Sequence, residues 1–539
     1  MGVSTYILDA LLNLILKNVS PFLVFSIVFL FTKYWFINIK RSPPGPWGLP
    51  IVGYLPFLGK QMHETLHKLS QQYGSVFQFS LGVKKIVVIT DPELVRQTFK
   101  KEEFTGRPRN ELYDMFQGYG VINIAGDRWK EQRRFLHENL RALGMKLSGK
   151  PMNVDVYLKN ASANVICNLM MSVTFQKDSP IFQRFMVLHK TGFQLFMKAD
   201  LANYLPFFRY FPSFQKCMKQ LELNREESMS MLKKYVQERR ENFDPSQTRD
   251  IIDAYLQKEY NDKLEGKEID YSFDGQLLQV MCDLFSAGQE TINVTLNWCL
   301  IFLLYNKDVT SKLQQELDSV VGRSRLPSLD DMPHLPYTEA TICEVLRRST
   351  VIPLGTPHST TCDTKIGDYH IPANTTVFSN LYSCHMNPNI WDSPEKFDPT
   401  RFIDANGRVF KPKEFMPFGV GRRMCLGQIL ARSELFLFLS SILHVFNLDF
   451  KDGEKPSLIG VLNVSTSPEP YKIRFIPREI SILNPKDTFD IKCSRVAVKT
   501  HRGQFATWKG KQIRIPTLRS THERSVGRPF KSKSREGDT

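Results

Sequence analysis

The sequence predicts a mainly α chain with a small β region, built as one large domain with short appendages. Three observations carry this expectation. The longest periodic stretch, residues 274–305, reads as a single helix whose second half, LNWCLIFLLY, is apolar on every side and therefore belongs inside the domain. Only FQFSLGVKKIVVIT, residues 77–90, is β-rich enough for a hairpin, turning at Gly82, and almost everything after it reads helical. A chain of 539 residues with 12% aromatics, 39 of them Phe, can wrap one deep apolar interior around a flat ligand.

Composition narrows the class. The nine cysteines, at 167, 217, 282, 299, 343, 362, 384, 425 and 493, are odd in number, scattered and free of any CxxC pair. That argues against zinc and against a secreted disulfide framework. A formal charge of +16 could mean nucleic acid, an anionic membrane or an acidic protein partner. Its distribution decides: residues 479–539 hold 14 Lys+Arg against 6 Asp+Glu, so half the excess sits on a short tail. The tail has no periodicity and few aromatics and is expected to be disordered. Its one Trp508 is no stacking platform, so nucleic acid is not an expected partner.

In chain order, residues 19–37 are apolar and aromatic apart from a few such as Lys33, and are followed by Lys40 and Arg41. Residues 1–41 read as a retained membrane anchor with the basic residues on the cytoplasmic side; a buried core helix is the alternative. Pro43, Pro44, Gly45 and Pro46 form a stiff connector, and the catalytic domain is expected over residues 42–478. Asp127 can cap a helix that places Trp129 and Arg133 on one face, a pair that also reads as an Arg packed on a surface Trp. Residues 193–214, crowded with aromatics and broken by Pro206 and Pro212, are either core or a lid that meets a membrane and admits an apolar substrate.

Within the long helix lies AGQET, residues 287–291. Glu290 and Thr291 are a polar expense in the middle of an apolar helix, while Ala287 and Gly288 leave room for a ligand beside it. In TEATICEVLRR, residues 338–348, Glu344 and Arg347 stand at i, i+3, an ordinary pair when taken alone. FDPTRF, residues 397–402, brings Arg401 in a Pro-marked loop, and VIPLGTPH, residues 351–358, ends in His358.

The stretch around which these parts are organised is FGVGRRMCLG, residues 418–427. Gly419, Gly421 and Gly427 remove side chains where a loop must approach a large flat ring. Arg422 and Arg423 supply positive charge that favours Cys425 as the thiolate, the form that ligates metal. A thiolate on haem iron favours O–O cleavage, so the loop is read as a haem site with Cys425 as the axial ligand.

Phe418, Gly421, Arg423, Cys425 and Gly427 match the FxxGxRxCxG signature of the cytochrome P450 superfamily, which the chain resembles from about residue 43 to residue 477. The resemblance implies the cytochrome P450 fold, with haem b between the long central helix and the Cys-bearing loop. It implies that Trp129, Arg133 and His358 reach the haem propionates, with Phe418, Arg423 and Gly427 completing the cofactor site. Glu290 and Thr291 would manage proton delivery to dioxygen, and Glu344, Arg347 and Arg401 would form a buried charged triad. Electrons would come from NADPH through NADPH-cytochrome P450 reductase in the endoplasmic reticulum membrane, docked on the basic face near Arg422. Two departures stand out. Ile292 replaces a frequent second hydroxyl residue, and residues 142–163 lack a helix that the family carries before NVICNLMM.

Several stretches resemble the insect ecdysteroid 26-hydroxylases: EEFTGRP at 102–108, RWKEQRRFLHENLR at 128–141, DLFSAGQETI at 283–292 and RRSTVIPLGTPHS at 347–359. The implied reaction is hydroxylation of the steroid side chain, inactivating the moulting hormone. A related enzyme acting on another steroid position or on xenobiotics, or a non-catalytic haem or steroid binder, are the alternatives. Intact AGQET argues against the binder.

Overall fold

The computed structural model describes residues 42–478 except 109–114, 116–118, 143–146, 149–153, 177, 268–272, 451–454 and 463, together with residues 25, 26, 29, 497 and 498. The anchor expected over 1–41 and the tail expected over 479–539 therefore lie largely outside the described residues, and the stretch 142–163, expected to lack a helix, is described only in part, at 142, 147, 148 and 154–163. Among the described residues one helix is long and apolar enough to cross a membrane, Gln428–Val445, and it is a largely buried core helix.

The helices are α1 (Met62–Tyr73), α2 (Pro92–Lys100), α3 (Gly126–Ala142), α4 (Val154–Met171), α5 (Pro180–Tyr204), α6 (Pro212–Glu241), α7 (Ile251–Leu264), α8 (Phe273–Tyr305), α9 (Lys307–Val320), α10 (Pro336–Ser349), α11 (Leu381–Met386) and α12 (Gln428–Val445). At 33 residues, α8 spans roughly 50 Å. Two cores form along it. Leu296, Trp298, Ile301 and Leu303 of its second half pack with Val345 of α10 and Leu435 and Leu439 of α12. Leu277, Met281 and Phe285 of its first half pack with Leu136 of α3, Ile166 of α4 and Tyr255 of α7. The apolar all-round pattern of residues 296–304 is thus spent on two flanking helices rather than one.

The expected hairpin is β1 (Val76–Leu81) and β2 (Lys84–Ile89), paired antiparallel with Phe79 opposite Ile86; Gly82 turns it at φ +58. A Cβ on Gly82 would sit 1.9 Å from the Tyr204 carbonyl oxygen, so the turn needs glycine both for its backbone and for its docking on α5. The β region is larger than the hairpin alone. A short pair at β3 (Leu147–Ser148) precedes β4 (His358–Ser359), β5 (Thr364–Ile366), β6 (Tyr369–Ile371) and β7 (Thr376–Ser379). β7 joins β2 in parallel and β4 antiparallel, giving the order β1-β2-β7-β4. These strands are two to four residues long, too short to show a period-2 pattern in sequence. β8 (Phe446–Phe450) pairs with β11 (Ile473–Pro477), and β9 (Gly460–Leu462) with β10 (Thr466–Pro468).

One local expectation changes and another holds. Asp127 does not cap α3, which begins at Gly126; it lies in the first turn and pairs with Lys130 at 3.4 Å. The break at Pro206 and Pro212 is real: α5 ends at Tyr204, a 3-10 turn spans Pro206–Tyr210, and α6 restarts at Pro212.

Glu434 of α12 is wholly buried, and neither of its carboxylate oxygens has a hydrogen-bond partner. Burial raises its pKa well above the ordinary 4.5, so the folded protein holds it protonated. The unfolded chain releases that proton near pH 4.5. Stability is therefore full below that pH and falls as pH rises towards the folded-state value, by about 1.4 kcal/mol per unit. Glu434→Gln should flatten this slope in a series of denaturant titrations from pH 5 upward; an unchanged slope would show the carboxyl to be ionised in the fold.

Candidate active site around the Cys425 loop

Residues 418–427 are held as a closed turn. The Cys425 amide donates to Phe418 O at 2.9 Å, and Gly419 N to Met416 O at 3.0 Å. Gly419 and Gly421 take φ +70 and +77, and a Cβ on Gly421 would lie 2.0 Å from the Phe99 carbonyl oxygen of α2. Around the Cβ positions of Gly419 and Gly427, by contrast, nothing lies within 4 Å. One glycine lets the loop pack on α2, and the other two leave the approach that a large ring needs.

Leu426 and Leu430 pack against the cluster containing Met281 and Phe285, so the loop faces the middle of α8. There, between Gln276 and Leu304, Ala287 is the only exposed residue of an otherwise enclosed helix, and Cys425 is likewise accessible. Burial nevertheless pushes the Cys425 thiol above its ordinary range, with a Gly427 N–H and Arg133 opposing. An accessible sulfur walled in by protein lies on an inner surface. The expectation that Arg422 and Arg423 favour the thiolate is corrected. Arg422 turns outward to Lys100 O at 3.2 Å and to Glu102 at 3.7 Å, Arg423 is committed elsewhere, and the cation beside the sulfur is Arg133.

Arg423 is buried, with Nε and Nη2 donating to Thr105 O at 2.9 and 2.7 Å, Nη2 also to Ile124 O, and its guanidinium stacked 3.7 Å from the Trp129 ring centroid. Its Nη1 is buried without a partner. Arg133 donates to Met424 O and lies 5.8 Å over the same indole. Arg107, which the sequence reading did not single out, donates to Ile122 O at 3.0 Å and Pro357 O at 2.7 Å. Burial first, then the neighbouring guanidiniums, pushes Arg423 down to about 8 and Arg107 to about 10. Among the described residues no carboxylate pairs with any of the three. Three mutually repelling, enclosed guanidiniums require anions, and haem carries two carboxylates; together with the open glycine faces and the accessible sulfur, the donor set fits haem.

His358 sits against this cluster, with its ring stacked on Phe99 at 3.9 Å and Nδ1 donating to Phe104 O at 2.7 Å. Burial, then Arg107, pushes it down to about 3, so it is neutral. A neutral ring with its proton on Nδ1 presents a lone pair at Nε2, which repels a carboxylate. His358 can therefore hold a propionate only as the imidazolium that the anion itself would induce.

Glu344, Arg347 and Arg401 are brought together. Arg347 makes a two-pronged pair with Glu344, both contacts 2.8 Å and both side chains fully buried, and Arg401 Nε stands 3.7 Å from Glu344. Arg347 also donates to His385 O and Pro394 O at 2.8 Å, while Met416 N donates to His385 Nε2 at 3.1 Å. The triad thus ties α10 to the root of the Cys425 loop through His385.

Thr291 and Glu290 are half-buried on α8 beside Ala287, and the Thr291 hydroxyl donates to Ala287 O at 2.7 Å. Thr295 does the same to Thr291 O, a paired back-bond of the kind that bends helices. Sequence reading also passed over Asp283. This buried carboxylate accepts Val121 N at 2.8 Å and Ile122 N at 3.1 Å, while Gln276 clasps Gly120 from both sides, fixing the loop that precedes Trp129. An Asp one turn before AGQET in an apolar helix was the available signal.

The fold and site define a haem-binding oxidoreductase. The sequence matches the family described as Cytochrome P450 over residues 43–151 and 145–475. It is 42% identical to cytochrome P450 18a1 of Drosophila melanogaster over 468 residues, 81% of this chain and 87% of the relative. It is 34% identical to cytochrome P450 2U1 of Rattus norvegicus (80% and 90% covered) and 33% to cytochrome P450 2B4 of Oryctolagus cuniculus (81% and 94%). The chain belongs to the cytochrome P450 family, whose members are monooxygenases that use haem iron, dioxygen and electrons from a redox partner.

Proposed function

We propose that this enzyme hydroxylates the side chain of an ecdysteroid at the terminal carbon, inactivating the hormone. The carrying observation is that the stretches resembling the ecdysteroid 26-hydroxylases are those that build the site. Residues 102–108 contribute Arg107, 128–141 contribute Trp129 and Arg133, and 283–292 contribute Asp283, Glu290 and Thr291. The 42% identity to the Drosophila relative runs in the same direction.

In this reading Cys425 ligates the haem iron, and Arg107, Arg133 and Arg423 neutralise the propionates. Haem so held supplies dioxygen activation and insertion of one oxygen atom into a C–H bond. Thr291 holds a proton at Oγ1 beside Ala287, and the neighbouring half-buried Glu290 would replace it once it is delivered. Electrons come from NADPH through its flavoprotein reductase. Location at the endoplasmic reticulum membrane is supported by one apolar face. Trp47, Phe57, Val83, Phe207, Tyr210 and Phe211 are all exposed, and the Val83 amide donates to Tyr204 O at 2.9 Å, which sets the hairpin turn beside the start of the Pro206–Tyr210 segment. The match in two segments meeting at residues 145–151 supports a helix missing from this chain at that point.

Incubation with reductase, NADPH and 20-hydroxyecdysone should yield a side-chain alcohol carrying one added oxygen. Thr291→Ala should consume several-fold more NADPH per product. Oxidation at a ring position, or of plant toxins but no ecdysteroid, would overturn the substrate assignment.

A further inference from the structure

We propose that His189 of α5 is a specificity group that selects a substrate bearing a hydroxyl near its reacting end. His189 Nδ1 lies 2.8 Å from Ser286 Oγ, the residue immediately before Ala287, and its ring packs 4.5 Å from Phe185 and 4.6 Å from Phe285. Its Nε2 is buried with no hydrogen-bond partner. A buried polar atom without a partner is costly, and the aromatic walls on either side offer it none. Ser286 shares a helical face with Glu290 and immediately precedes the exposed Ala287, so its contact sets the imidazole one residue from the accessible surface of α8, with Nε2 itself covered by the surrounding packing.

Burial pushes His189 down to about 3, so the ring is neutral and carries one proton. If Ser286 donates to Nδ1, Nε2–H is a donor; if Ser286 accepts, Nε2 is an acceptor. A hydroxyl satisfies either tautomer, a ketone only the first and a bare hydrocarbon neither. The substrate class is therefore a bulky apolar molecule with an alcohol within a few carbons of the oxidised position. The inference rests on the active-site assignment above and deepens the steroid reading.

The test is equilibrium binding, read from the haem absorbance shift. Each holoenzyme is first checked by its ferrous–CO spectrum for intact folding. The ligands are 20-hydroxyecdysone, its 25-deoxy counterpart and ecdysone, which lacks the 20-hydroxyl, together with 5α-androstan-17β-ol and 5α-androstane. The wild type should favour the hydroxylated member of at least one matched pair by about tenfold. His189→Phe should erase that preference while leaving the deoxy ligand within about twofold, and His189→Gln should restore part of it. Equal weakening of both members of every pair, or an unchanged preference, would overturn the proposal and leave His189 a water-bridged packing residue. Should no ecdysteroid bind while the androstane pair behaves as described, the ecdysteroid assignment fails and the His189 assignment stands.

Discussion

Arg347→Leu is expected to leave the protein largely unfolded at 37 °C, because it strands the Glu344 carboxylate in a fully buried site. Removing one member of a buried pair costs about 3–5 kcal/mol, against a total stability of about 5–15 kcal/mol for a typical domain. His385 O and Pro394 O lose their donor as well. Arg347→Lys keeps the charge but not the planar fork, and should fall between wild type and Leu. Arg401→Leu should be milder, since its contact to Glu344 is 3.7 Å and its side chain is 13% exposed. Thermal unfolding and the yield of soluble haem-loaded protein check the series. A Leu variant as stable as wild type would show that Glu344 is relieved by some other group.

Arg423→Leu is expected to act on haem retention more than on the apo fold. In the absence of haem, the guanidinium contributes hydrogen bonds to Thr105 O and Ile124 O but also repels Arg107 and Arg133. Its removal therefore both unties a loop and relieves like-charge strain. With haem bound the repulsion is neutralised, and loss of one buried charge-assisted partner should cost about 2–5 kcal/mol, roughly thirtyfold or more in haem affinity. The measurement is the rate of haem transfer to an excess of a high-affinity acceptor, beside apo-protein unfolding curves for both forms. Collapse of the apo fold with unaltered haem transfer would make Arg423 a structural tie alone.

The parts of the site that were legible in sequence are those where chemistry forces an unusual residue into a fixed spacing. Cys425 among glycines and Glu290 with Thr291 inside an apolar helix each violate a local preference, and the fold puts the first in a closed turn and the other two at the middle of α8, whereas Glu344 and Arg347 form an ordinary i, i+3 pair whose full burial only the fold reveals. Less legible were residues whose role comes from long-range approach. Arg107 looks like any surface arginine, yet its donors reach Pro357, 250 positions away. The electrostatic role given to Arg422 and Arg423 was misassigned, because adjacency in sequence does not say which of two neighbouring arginines turns inward. Short strands such as His358–Ser359 owe their existence to β7 and could not be seen without it. The tautomer of His358 depends on Phe104 O, which no spacing reveals.

The central claim is that Cys425 presents a thiolate to haem iron from an inner, arginine-flanked surface. The absorption spectrum of the ferrous protein under CO tests it most directly. A strongly red-shifted Soret band, lost in Cys425→His, is the predicted result. A band at the position typical of histidine ligation in the wild-type protein would contradict it.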